Sequence, residues 1–322
     1  MSHSWLCFFL GAALLAAPPA RAAGAVLVMN SNEASLSVID LAGRRELRRI
    51  PVLREPHHWA LTPDGGELLV ADTGANELVV LDPSSFATRR RIPVADPYQL
   101  GFSPDGRLLV VNGLARAQVD IYEAGTYRLV KRFALASMPS HLAFTPDSST
   151  VFVSLQGTGR LAAIDLRRLE VRWTTEVGEA PAGVMWLHGR VLVANMGSDD
   201  VAVVNPADGS VERRIRTGKG AHQLFLAPDG RRLYVNNRLD SDSVTVLDPA
   251  TLEVVRRYRL PGGPDDIAFA PDGRLWFTLR FVNKVAVLDP ASGQYEIIEV
   301  GRSPHGIFLN PRAVVPAAVA TR

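Results

Sequence analysis

The sequence predicts an all-β, seven-bladed β-propeller of four-stranded antiparallel blades, closed by a split blade that shares the N- and C-terminal strands. Three observations predict it. A recurring start appears at Pro56, Pro97, Pro139, Pro181, Ala221, Pro264 and Pro304, at intervals of 41, 42, 42, 40, 43 and 40 residues. In five of these units an Asp follows the start by eight places inside a Pro-Asp pair: Asp64, Asp105, Asp147, Asp229 and Asp272. The first and last pieces, Ala25–Leu53 and the run from Pro304, are each too short for a unit and complete each other. A period of about 40 residues with four short strands is the signature of a propeller blade.

Each element within a unit has its own reason. The first strand is the short apolar run after the start. It ends at the Pro-Asp-Gly turn (Pro-Asp-Ser at Asp147), where Pro presets φ and Gly tolerates the left-handed conformation. A second strand follows, as in Leu108–Val111 and Leu233–Val235, and ends on a polar residue. The third alternates with period two, as in Val244–Leu247, and ends at Asp40, Asp82, Asp165, Asn205, Asp248 or Asp289. Asp-Pro-Ala turns at 248–250 and 289–291 lead to a fourth strand, of which Arg91-Ile92-Pro93-Val94 is one end. The fifth blade, counting the split one first, departs from the pattern, with His188-Gly189 in place of the usual turn. In the split blade the segment from Pro304 supplies the inner strand and Val26–Met29 the second, so closure pairs two edges that would otherwise stay open.

Ahead of the propeller, Trp5–Ala17 form an apolar run, followed by Pro18-Pro19 and the small-residue site Ala20-Arg21-Ala22. This pattern reads as a secretory leader over residues 1–22, too short to span a bilayer. The propeller is then expected over 23–311, with a tail over 312–322, in a periplasmic or secreted protein without a membrane span. The single cysteine, Cys7, leaves with the leader, which excludes disulfides, thiolate metal sites and covalent haem attachment. Net charge is +2, and the arginine pairs (Arg44-Arg45, Arg213-Arg214, Arg256-Arg257) fall around the rim on fourth strands, so nucleic acid is not expected as a partner.

The segments Leu233-Tyr234-Val235-Asn236-Asn237 and Val244-Thr245-Val246-Leu247-Asp248 resemble the bacterial YVTN-repeat propellers. Val70-Ala71-Asp72-Thr73-Gly74-Ala75-Asn76 resembles the NHL repeat. The resemblance implies an exported seven-bladed protein and says little about activity.

First strands line a propeller's central channel, so equivalent positions form rings at its mouth. The first ring reads His57, Tyr98, Ser140, Ala182, His222, Asp265 and His305; the second reads His58, Gln99, His141, Gly183, Gln223, Asp266 and Gly306. Second-strand ends (Asn30, Asp72, Asn112, Ser154, Asn195, Asn236, Thr278) are expected on the same face, with Arg238 and Arg280 close by. Together they predict a wet polar funnel. The candidate ligand-binding residues are His57, His58, His141, His222, His305, Asp265, Asp266, Arg238 and Arg280.

Three readings compete for the histidines. They fill a solvated rim, they bind a small anionic or polar ligand with the arginines, or His57, His141, His222 and His305 hold a transition metal or haem-type cofactor, since neutral imidazole is a common metal ligand. The leading expectation is an exported binding or scaffolding protein that uses this face for a small ligand or a periplasmic protein partner. A metal or tetrapyrrole carrier or maturation factor is the first alternative. A lactonase-type hydrolase is the second, built on Asp265, His305 and an arginine; no nucleophile elbow, phosphate loop or zinc-protease motif supports any other chemistry.

Overall fold

The computed structural model describes residues 21–239 and 243–316. They form seven four-stranded antiparallel sheets, each ordered from an inner strand at the channel to an outer strand at the rim. No helix among the described residues is long and apolar enough to cross a membrane. Most of the leader lies outside the described residues.

The predicted turns close as their chemistry requires. Gly65, Gly106, Gly230 and Gly273 all have positive φ, and in each turn the Asp carboxylate accepts the backbone N–H two residues on. In the odd blade His188 and Gly189 both adopt positive φ, 46° and 79°. That makes a two-residue hairpin between Pro181–Leu187 and Arg190–Asn195.

Apolar side chains pack between neighbouring blades. Leu69, Leu78 and Val80 of the second blade, for example, meet Leu100, Leu109 and Val111 of the third. Outer strands such as Thr88–Pro93 are mostly exposed. Their arginines pair with acids on the inner side, as Arg132 does with both oxygens of buried Asp120 at 2.7 Å.

The split blade closes as expected, in the order Pro304–Pro316, Arg21–Asn30, Ser35–Asp40, Arg45–Pro51. Its inner pairing sets Val26 opposite Leu309, Leu27 opposite Phe308 and Val28 opposite Ile307. The closing strand does not stop at 311. It runs to Pro316, with Arg21 opposite Pro316 and Ala22 opposite Val315. Ala313 and Val315 are fully buried while Val314 is exposed, the period-two pattern of a half-buried strand where a tail was expected.

Candidate functional site

First strands carry one residue too many. Pro56 pairs with Asp72 and Trp59 with Val70, so three steps on one strand match two on the next. The same shift occurs from Pro139 to Leu142, Pro181 to Val184 and Pro264 to Ile267. A bulge re-aims side chains that strict alternation would send to opposite faces. Here it falls on His57-His58, Ser140-His141 and Asp265-Asp266.

The channel has little room at this level. A Cβ on Gly306 would come within 2.5 Å of the His57 carbonyl, and one on Gly183 within 2.7 Å of the His222 carbonyl. Glycine is therefore required at these two ring positions, where neighbouring inner strands nearly touch.

All five channel histidines are gathered in one cluster. Ring centroids are 4.6 Å apart for His57–His305, 4.5 Å for His58–His305, 5.1 Å for His58–His141 and 5.4 Å for His141–His222. Tyr98 lies 4.8 Å from His57.

The expected wet funnel is not what the structure shows. His57 and His58 are 4% exposed, His141 and His222 1%, and His305 and Asp265 0%. The converging strands turn these rings into the channel, where they fill it. Second-strand ends are also buried and serve as ties: Asn112 Nδ2 donates to Ser140 O, Ser154 Oγ to Ala182 O and Thr278 Oγ1 to His305 O. Asp72 accepts the N–H groups of Leu53, Arg54 and Glu55, fixing the approach to His57.

Asp265 is the electrostatic centre. Arg238 donates to Oδ1 at 2.8 Å and Arg280 to Oδ2 at 3.1 Å. His222 Nδ1 lies 2.8 Å from Oδ1 without the alignment of a hydrogen bond, and His305 Nε2 lies 3.5 Å from Oδ2. Burial works to raise the Asp265 carboxyl, but His305, His222 and Arg238 outweigh it and hold the group well below the usual carboxylate range. Neighbouring Asp266 goes the other way: burial pushes it up to about 8, against N–H bonds from Ile267 and Ile307. Burial, first of all, lowers all five imidazoles, and His58, His141 and His305 fall well below their ordinary value.

Neutral rings with lone pairs and no partner result. His57 Nδ1, His58 Nε2, His141 Nε2 and both ring nitrogens of His305 are buried without a hydrogen-bond partner among the described residues. Such groups are costly unless something satisfies them. Among the described residues, His57, His58 and His305 form one group whose ligand atoms lie within 4.8 Å of one another, and His222, Asp265 and His305 form another. The four histidines expected from sequence as metal ligands therefore do not make one set. His58 joins His57 and His305, whereas His141 bridges between clusters with its Nδ1 on Ser140 Oγ at 2.8 Å.

Sequence reasoning missed Glu55. Its carboxylate lies 3.0 Å from His57 Nε2, which places the ring proton there and leaves the Nδ1 lone pair facing inward. Its only signal was a position two residues before His57. A surface cleft of about 790 Å³ between the fourth and fifth blades, lined by Glu176, Glu179, Asp199 and Arg214, is separate from this cluster.

The sequence model of the YNCE-like beta-propeller family matches residues 7–314. The chain belongs to that family. The uncharacterized protein YncE of Salmonella typhimurium is 27% identical over 123 residues, 37% of this chain; the match spans 35% of that protein's length. Among solved structures, the periplasmic gluconolactonase PpgL of Pseudomonas aeruginosa superposes with a TM-score of 0.71 at 20% identity, covering 89% of this chain and 98% of that one. The dihydro-heme d1 dehydrogenase NirN, solved with DHE, gives 0.67 at 16% identity, covering 91% and 77%. At these identities the two structures share the YNCE-like chain's fold, and nothing about its chemistry follows from them.

Proposed function

We propose that this YNCE-like propeller is a transition-metal-binding protein of the bacterial envelope, with its ion held in the channel by imidazole. One observation carries the reading: three buried histidines, His57, His58 and His305, each bring a ring nitrogen within 4.8 Å of the other two, and each has a buried ring nitrogen with no hydrogen-bond partner among the described residues. Nitrogen ligands of this kind suit copper, zinc, nickel or iron and not calcium or magnesium. Burial of every ring also favours a single ion over a macrocycle, which needs an open face. Asp265 is held by two guanidiniums, so it is not a free base for lactone hydrolysis. Placement in the envelope is supported by the apolar run Trp5–Ala17 and the Ala-Arg-Ala site, with the mature chain starting near Ala23.

Dialysis of tag-free protein against a mixture of first-row metals should leave about one ion per chain, since one imidazole set binds one ion. The His58→Ala/His305→Ala variant should retain less than roughly a tenth of that, because two of three ligands are gone. A folded wild-type protein that emerges without metal would refute the reading.

A further inference from the structure

Resting on that reading, we infer that the His57–His58–His305 site is selective for a monovalent, three-coordinate metal ion, copper(I), over divalent ions. The donors come first. His57, His58 and His305 each offer one ring nitrogen, the three within 4.8 Å of one another, and His57 Nδ1, His58 Nε2 and both nitrogens of His305 are buried without a hydrogen-bond partner among the described residues. All three rings are at least nine-tenths buried. Glu55 fixes the His57 tautomer so that the lone pair faces the other two rings.

The charge of the surroundings decides the ion. Two carboxylates, Asp265 and Glu55, stand against two guanidiniums, Arg238 and Arg280, and Asp265 bonds both guanidiniums directly. The third buried acid of the channel, Asp266, is pushed up to about 8 by burial and is protonated at neutral pH, so among the described residues no negative charge is left over to offset an added cation. The cost of burying an ion grows with the square of its charge, so a divalent ion costs about four times what a monovalent one does. Zinc also requires a fourth ligand to complete its tetrahedron. Glu55 lies on the far nitrogen of His57, and Asp265, 3.5 Å from His305 Nε2, is committed to the arginines. Copper(I) has a filled d shell, accepts three nitrogens in a plane and needs no further ligand, and copper is well served by imidazole.

The test is an anaerobic titration of full-length, tag-free protein with copper(I) against bicinchoninate, beside a zinc(II) titration against a chromophoric chelator. Copper(I) should bind one to one and at least roughly 100-fold more tightly than zinc(II), as the charge penalty requires. His58→Ala should lose roughly 100-fold or more in copper(I) affinity, and Glu55→Ala about 10- to 100-fold, the usual effect of removing an orienting carboxylate. Zinc(II) binding as tight as copper(I) would overturn the selectivity and leave the metal site standing. Folded wild-type protein that takes up neither ion would overturn both.

Discussion

Deleting residues 304–316 should abolish cooperative folding at 25 °C. The closing strand carries Ile307, Phe308, Ala313 and Val315 into the core, all less than a tenth exposed. At roughly 1.5–3 kcal/mol for each of the three large side chains, their loss removes about 4.5–9 kcal/mol. That rivals the whole stability of a domain, about 5–15 kcal/mol. The deletion also frees the edge of Arg21–Asn30, so its unpaired backbone becomes a template for aggregation. Trp59, whose indole donates to the Ile307 carbonyl at 2.9 Å, reports the change by fluorescence. A truncated protein that melts within a few degrees of the full chain would contradict ring closure by this strand.

Mild acid should unfold the metal-free protein. Each channel imidazole has its folded-state value pushed down by burial, so below an unfolded value near 6.5 the unfolded chain takes up protons that the folded one refuses. Stability from these groups is complete above that value and is lost as pH falls toward the folded ones. Asp266 opposes them: raised to about 8, it contributes most at low pH and loses that contribution as pH rises through about 8. Five protons against one leave a net of four, up to about 5.6 kcal/mol per pH unit at roughly 1.4 kcal/mol each. Urea midpoints at pH 7 and pH 5 should therefore differ greatly, with the lower pH the less stable. Equal midpoints would mean that the rings are protonated in place or open to water.

The fold was legible because a blade repeats its instructions. Starts 40–43 residues apart, Asp at the eighth place and two complementary end pieces leave one ring to build. Val314 hid the last five residues of the closing strand, since Arg312-Ala313-Val314-Val315-Pro316 holds two adjacent valines and alternates only once Val314 is seen to face out. The ring positions of His57, His141, His222, Asp265 and His305 followed from the same repeat. Their burial did not, because it depends on bulges, and a bulge is a property of hydrogen-bond register that leaves no mark in composition. The same slip explains why adjacent His57 and His58 both face the channel, and why His58, in place of His141, groups with His57 and His305. Asn112, Ser154 and Thr278 looked like mouth residues because strand ends are usually exposed. Their side chains instead reach the next blade's backbone and hold the histidine-bearing strands in place.

X-ray absorption at the copper edge of protein loaded with one equivalent tests the channel site most directly. The expected spectrum has a first shell of three nitrogens from His57, His58 and His305, with the outer-shell scattering of imidazole rings. It should collapse to loosely bound, ring-free copper in His58→Ala/His305→Ala. A wild-type first shell of oxygen alone, without imidazole scattering, would contradict a metal site in the channel.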